Sequence, residues 1–295
     1  MVTAATTNAL QWTFENNGDV IPLQNVLATD FFKKSGRSGF GVAPTKLITR
    51  DGASGGTRWR RTRRGARTIV LPVDIIGDSR QDIEDKQRRL VRLLQDDDSA
   101  AKIVATYPSS ERFYTEVHYS GGADPQYGTD TDGRTHSVWA LNLLAPDPYW
   151  TSETQIAYAI GPANAGHGLL PHLEKLQLSA SQAIGQVLFE NIGDVASYPI
   201  WTLRGPADAG FQARLPDGAG FSFNAALTTD SIITINTRDK TVIDESGNNR
   251  YTDLGDSPKL FPIPKGNTLV TVEMEGTTSA SLISVYFNQR RELIF

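Results

Sequence analysis

The stretch GARTIVLPVDIIGDSRQDIEDKQRRLVRLL, residues 65–94, decides the fold. Its first part has period two: from Thr68 to Gly77, Ile69, Leu71, Val73 and Ile75 fall on one face, which predicts a strand. Pro72 supplies no amide donor, so this strand is expected at a sheet edge or beside a bulge. From Ser79 the period changes. Ile83, Gln87, Leu90, Val91 and Leu94 recur at three- and four-residue spacing with charges opposite, which predicts a helix from Ser79 to about Gln95. Its end signals agree with the period. Ser79 is a good N-cap and Asp82 completes a capping-box variant. Asp82, Glu84 and Asp85 sit where the helix dipole favours acid, and Arg88, Arg89 and Arg92 follow towards the other end. The triplet Asp96-Asp97-Asp98 ends it.

Working outward, Lys102–Tyr107, Arg112–Tyr119 and His136–Leu144 read as strands. The glycine-rich loop over 119–136 suits an exposed hairpin tip, or an arm that orders on a partner. Residues 1–150 are therefore expected to form an α+β domain, a sheet with one packed helix. APDPYW at 145–150 stops regular structure and marks the boundary. Beyond it only short β runs recur: Gln186–Glu190, Tyr198–Arg204, Phe211–Leu215, Gly220–Phe223, Ser231–Asn236, Lys240–Ile243, Thr268–Glu275 and Ser279–Phe287. The turn clusters PDGAG, DESGNN and PKGN separate them, so residues 151–295 read as a β-sandwich or jelly roll. The fold class expected is mostly β with one packed helix.

A chain of 295 residues has room for two such domains. Lysine and arginine total 29 against 33 aspartates and glutamates, a net charge of −4 that points to no polyanion partner. The halves differ: residues 1–150 carry 19 basic and 18 acidic groups, residues 151–295 carry 10 and 15. With no cysteine there is no disulfide, thiol nucleophile, zinc finger or iron–sulfur ligand set. The opening MVTAATTNALQWTFENN has neither a basic nor an apolar signal region. No run approaches the about 18 apolar residues of a membrane helix, so the chain is expected to be soluble, without membrane insertion.

The strongest local anomaly is RWRRTRRGAR, residues 58–67, in which Arg58, Arg60, Arg61, Arg63, Arg64 and Arg67 surround Trp59. Regular alternation would put Trp59, Arg61 and Arg63 on one side and Arg58, Arg60, Thr62 and Arg64 on the other. Two readings fit: a phosphate-contacting patch with a stacking aromatic, or a protein contact paired with acidic groups. The negative net charge and the lack of a second basic patch favour the protein contact. Other constellations fail on spacing. His167, His172 and Glu174 match no helical metal-ligand pair, and His118 and His136 belong to no such motif. Asp130-Thr131-Asp132-Gly133 lacks the first and twelfth ligands of a calcium loop. The Asp96–Asp98 triplet reads as a solvated helix exit that could serve as counter-charge for the arginines. There is no GxSxG elbow, Walker loop or GxGxxG after a strand. Acid pairs drawn from Asp208, Asp217, Glu273 and Glu275 have nothing to fix their separation. Trp150, Tyr158, Trp201, Phe211, Phe221 and Phe223 could form a sugar platform, although aromatics in a sandwich more often make the core. No cofactor, metal or catalytic site is expected, and the chain is not read as an enzyme.

Three stretches together resemble the distal tail protein family of long-tailed, non-contractile bacteriophages. They are residues 65–94; the domain end WALNLLAPDPYW (139–150); and the series NIGDVASYPIWTLRGP (191–206), TDSIITINTRDKTVIDESGNN (229–249) and LFPIPKGNTLVTVEMEGTTSASLISVYF (260–287), in the family's order. The resemblance implies a ring-forming N-terminal domain followed by a galectin-like β-sandwich, with no catalytic residues. It implies a homo-hexamer in the virion, at the tail tip or baseplate, made in the host cytoplasm. The implied partners are the tail tube protein on one face, the tail-tip hub protein on the other, and receptor-binding proteins; DNA passes through the ring without sequence-specific binding. Six copies of the arginine run lining that channel would act as a salt-dependent brake on DNA. The arginines are therefore expected at protomer or ring-to-ring contacts, where bidentate pairing with carboxylates sets orientation. The alternative from another class is a carbohydrate-binding β-sandwich that recognises host cell-wall glycan. A glycoside hydrolase or esterase would need a buried acid pair or an activated serine.

Overall fold

A computed structural model describes residues 10–23, 31–33, 36–95, 99–124, 135–161, 182–208 and 210–294. The chain divides into two compact units, Met1–Glu153 with Arg291–Phe295, and Thr154–Arg290.

The first unit begins with β1 (Gln11–Asn16) and β2 (Asp19–Pro22), joined by the two-residue turn Asn17-Gly18. Both turn residues have positive φ, 47° and 82°, the twist a tight hairpin requires. β3 (Phe31–Lys33), β4 (Thr45–Asp51), β5 (Thr57–Arg64) and β6 (Arg67–Ile76) follow, then α1 (Arg80–Leu94), β7 (Ala101–Thr106), β8 (Arg112–Gly122) and β9 (His136–Ala145). One ladder runs β2-β1-β7-β8 and the other β8-β9-β6-β3. β8 belongs to both: its residues 112–117 pair with β7, and those from His118 on pair with β9. The register shifts between Tyr119 and Gly121, where the strand passes from one ladder to the other. Gly122 makes that passage possible, because a Cβ there would lie 1.9 Å from the carbonyl oxygen of Ala140. The ladders and the helix enclose Phe14, Ile69, Leu71, Ile83, Leu90, Phe113, Leu141 and Trp150.

The helix starts as its sequence predicts, with the Ser79 hydroxyl accepting from the Asp82 amide at 3.2 Å. The return arm of the capping box differs. The Asp82 carboxylate accepts from the amide of Asp78, one residue before the cap, at 3.0 Å. The buried face is Ile83, Leu90, Leu93 and Leu94; Val91 is half-buried, and Gln87 donates to the Ser137 hydroxyl. The expected alternation of Ile69, Leu71, Val73 and Ile75 is present, but the Pro72 expectation is corrected. β6 is neither an edge nor bulged: it pairs residue for residue with β9 on one side and meets Ser38 and β3 on the other. The amide and carbonyl of Val70 both bond to Ser38, so the even-numbered residues turn their polar groups to that side. Pro72 falls between the Ser38 bridge and the β3 pairing at Val73–Ile75, so its missing donor breaks no ladder bond. The loop expected over 119–136 is shorter, since Tyr119–Gly122 and His136 are strand; residues 125–134 lie outside the described residues.

β10 (Trp150–Ile160) begins in the first unit, paired with β8 at Thr151 and Ser152. The second unit contains its remainder with β11 (Gln182–Asn191), β12 (Ile200–Arg204), β13 (Phe211–Arg214), β14 (Gly220–Phe223), β15 (Ile232–Asn236), β16 (Thr241–Asp244), β17 (Gly266–Glu275) and β18 (Leu282–Arg291). Two sheets, β16-β15-β12-β18-β10 and β11-β17-β13-β14, face each other as a β-sandwich. Trp201 sits in the middle of its core, with Phe189, Phe211, Phe221 and Phe261 at centroid distances of 5.7–6.3 Å. Asn191, fully buried, donates to the carbonyls of Val195 and Ile263 and accepts from the Gly193 amide, which fixes the exit of β11. The last residues of the chain return to the first unit, where Ile294 is buried in the core and Arg291 lies over the Phe113 ring.

Candidate functional site

The arginine run forms β5, which pairs with β4 in a two-stranded ribbon that joins neither ladder. Gly52–Gly56 closes its tip, and the Gly65 amide bonds to Pro44 at its base. Every residue of β5 is exposed, as is β4 apart from half-buried Ile48. A ribbon with two wet faces has little stability of its own. Its arrangement follows from one irregularity. Ile48 pairs with Arg61 and Thr49 with Trp59, so Arg60 is an extra residue in β5, a β-bulge.

The bulge corrects the faces that regular alternation predicts. Cross-strand partners share a side, so Arg58 lies with Arg50, Arg61 with Ile48, and Arg63 with Lys46 on one side of the ribbon. The other side carries Trp59 with Thr49, Thr62 with Leu47, and Arg64 with Thr45. The Trp59 indole donates to the Thr62 hydroxyl at 3.2 Å, two strand positions away, as only a shared side allows. One side is thus five cations and an isoleucine. The other exposes Trp59 at 63% and Leu47 at 61%. The β4 contribution was missed from the sequence, although TKLITRD followed by GASGG at 45–56 is a strand-and-turn signal.

Among the described residues, two members of the arginine set have intramolecular partners. Arg64 pairs with Glu292 at 2.7 Å and also bonds the Thr45 hydroxyl. Arg67 is not available to any partner and is corrected as a contact residue: it is 1% exposed, at the start of β6. Its Nε and one terminal nitrogen donate to Pro148 O at 3.0 and 2.5 Å. Its other bonds run to Gly39 O at 2.9 Å, Gly41 O at 2.7 Å and Glu292 O at 3.2 Å. All five guanidinium donors thus meet backbone carbonyls from three segments. Burial lowers its pKa from the usual arginine value, opposed by the nearby Glu292 charge. The arginine alternates inward with Ile69, Leu71 and Val73, so the period that predicts the core strand also reaches Arg67.

The sugar platform does not form. Trp150, Trp201, Phe211, Phe221 and Phe223 are all buried, Trp150 in the first core and the others in the second, while Tyr158 is half-buried and stacks on Phe287. His136 bonds the buried Asp74 at 2.7 Å and His118 is exposed on β8. His167, His172 and Glu174, the Asp130–Gly133 segment and the Asp96–Asp98 triplet lie outside the described residues. Among the described residues no three acidic or histidine side chains come together as a metal site. Of the four acids weighed, Asp208 and Glu275 meet through the backbone, Asp208 N to Glu275 O at 3.0 Å. Asp217 caps its own turn by accepting from Ala219 N. Three carboxyls are held below the usual range by hydrogen bonds: Asp19 by Arg89, Asp82 by Lys86 and the Asp78 amide, and Asp244 by Asn248. All three stabilise local structure, an ion pair, a helix start and a turn. Among the described residues no helix is long and apolar enough to cross a membrane.

Residues 29–130, which include the ribbon, match the family model of the phage tail protein RIFT-related domain. No curated protein sequence matches the chain. Among solved structures, the fold is similar to the SPP1 Dit protein, described as a paradigm of hub adsorption apparatus in phages that infect Gram-positive bacteria. The TM-score is 0.66 at 14% identity, over 95% of this chain and 98% of that one. A chain of the phage P2 baseplate in its activated conformation with calcium is similar at TM-score 0.53 and 11% identity, over 97% of this chain and 100% of that one. A strontium-bound form of that baseplate gives 0.52 at 12% identity. At such identities the likeness establishes the fold alone, a strand-rich unit with one packed helix and a β-sandwich.

Proposed function

We propose that the chain is a structural virion protein of a long non-contractile phage tail, forming a ring at its distal end between the tail tube and the tail-tip hub. The observation that carries this is the likeness to SPP1 Dit across nearly the whole length of both chains, both units included. The match of residues 29–130 to the phage tail RIFT-related domain supports it from the sequence side. The ring is a homo-hexamer in the distal tail family that the sequence resembles, and this copy number is adopted here. Its role is mechanical and connective, with no catalytic step. DNA passes through the ring without sequence-specific binding, and tail tube, hub and receptor-binding proteins are its neighbours. The side chains at its contacts are Arg58, Trp59, Arg60, Arg61, Arg63 and Arg64 of the ribbon. Arginine suits that task because a guanidinium meets a carboxylate through two parallel hydrogen bonds and so fixes orientation as well as distance.

Immunogold labelling of purified virions with antibodies against this chain tests the reading. Label confined to the distal end of the tail is expected; label on the head or along the tube contradicts it. The glycan-binding alternative is less favoured, since five of the six aromatics weighed as a platform are buried in the two cores and Tyr158 is half-buried.

A further inference from the structure

We infer that the cationic side of the ribbon, set apart by the bulge at Arg60, docks on the acidic surface of a second copy of this chain. The inference rests on the ring reading above and names the partner chemistry of that contact.

Two cross-strand pairs on this side, Arg50 with Arg58 and Lys46 with Arg63, set like charges directly opposite each other. Such pairs destabilise a free ribbon. None of Lys46, Arg50, Arg58, Arg61 and Arg63 has a carboxylate partner among the described residues, and each is exposed. The repulsion is relieved by a carboxylate-bearing surface brought against the whole side. Residues 45–64 carry seven cations and one carboxylate, net +6, which leaves the rest of the chain with 22 cations and 32 carboxylates, net −10. The charge complement of the ribbon is therefore the remainder of the same protein. Within one chain the ribbon stays exposed on both faces and makes its ion pair at its foot, Arg64 with Glu292. A second copy supplies what the first does not bring to it.

The opposite side argues for protein over nucleic acid. A duplex groove takes one side of a β-ribbon and leaves the other in water, which would strand Trp59 and Leu47. A cleft between protein surfaces covers both. The bulge is what makes the two sides differ: if Arg60 took a regular place in the alternation, Arg58 would share a side with Thr62 and Arg64, and Trp59 would share one with Arg61 and Arg63.

The test is self-association of the full chain by sedimentation velocity at low and high salt. The wild type should self-associate, with an apparent constant about tenfold or more weaker between about 50 and about 500 mM NaCl. The triple variant Arg58→Ser, Arg61→Ser, Arg63→Ser should associate more weakly at low salt and lose the salt dependence. Arg60→Ser and deletion of Arg60 both leave Arg58, Arg61 and Arg63 on one side with Lys46 and Arg50, so both should weaken association less than the triple variant. Unchanged helix circular dichroism and melting temperature confirm folding, as the ribbon side chains concerned lie outside both cores. Three results overturn the inference: a triple variant that associates like wild type, an Arg60→Ser or Arg60-deletion variant as weak as the triple variant, or a wild type that stays monomeric at low salt. In the last case a 20-base-pair duplex, added as probe and retained, reassigns the cationic side to nucleic acid. Rings that persist in the triple variant remove this inference and leave the tail-ring reading standing. Salt-sensitive association with virion label away from the tail tip does the reverse.

Discussion

Replacing Arg67 by methionine is expected to destabilise the first unit by about 3 kcal/mol. The side chain is a buried cation with no direct carboxylate partner, held by four carbonyls: Gly39 and Gly41 before β4, Pro148 before β10, and Glu292 at the returning C-terminus. Methionine fills similar space and donates nothing. Each buried carbonyl left without a donor costs about 1 kcal/mol or more, so four give about 4, offset in part because a desolvated charge no longer has to be maintained. Lysine keeps the charge but offers three donors in place of five, and Arg67→Lys should lose about 2 kcal/mol. For a unit of this size about 3 kcal/mol corresponds to a fall of roughly 6–12 °C in melting temperature. Urea unfolding followed by tryptophan fluorescence is the assay, in a Trp201→Phe background so that the remaining tryptophans, Trp12, Trp59, Trp139 and Trp150, all report the first unit. The Trp150 ring centroid lies 5.8 Å from the guanidinium carbon and should sense the change directly. A methionine variant within about 0.5 kcal/mol of its parent would refute the reasoning, since it would mean that the four carbonyls find other donors at little cost.

Gly122→Ala should cost about 3 kcal/mol, combining a positive-φ alanine with a Cβ driven into the Ala140 carbonyl, and should expose the β8–β9 amides to hydrogen exchange; wild-type protection there would contradict it. Trp201→Ala should cost about 3–5 kcal/mol in the second unit by opening a cavity among Phe189, Phe211 and Phe221, measured by thermal unfolding; a stable variant with altered glycan retention would point instead to a surface role. Because Lys86 and the Asp78 amide hold the Asp82 carboxyl below its usual 3.8, the native state binds fewer protons there than the unfolded chain. Its stabilisation is present above that value and lost as pH falls through the lower folded one. The melting-temperature gap between wild type and Asp82→Asn should therefore close as pH drops below about 4, and a gap that is constant from pH 7 downward would contradict this.

The helix and the sandwich strands were legible because their signals are local. Ser79 and the three- and four-residue spacing needed no tertiary information, and the turn clusters bracketed β12–β17 to within a few residues. The Asn17-Gly18 hairpin and the strand-and-turn at 45–56 were equally local and were passed over. What lay beyond reach depended on registers between strands. The Arg60 bulge exists only in the pairing of β5 with β4, so regular alternation assigned its arginines to the wrong sides. Pro72 suggested an edge because a sequence does not show that its partner strand is interrupted opposite it. Arg67 looked like the last of six equivalent arginines. Its inward register with Ile69 set it apart, but that is meaningful only once carbonyls from Gly39, Gly41, Pro148 and Glu292 converge on it. The return of Ile294 to the first core has no local signature at all.

The central claim is that this chain closes into a ring. Negative-stain electron microscopy of the purified protein at low salt, with light-scattering mass on the same sample, tests it most directly. The account predicts closed rings with a central hole and a mass six times the 32.2 kDa of one chain. A homogeneous monomer that forms no ring at any concentration, and is retained on cell-wall glycan, would contradict it.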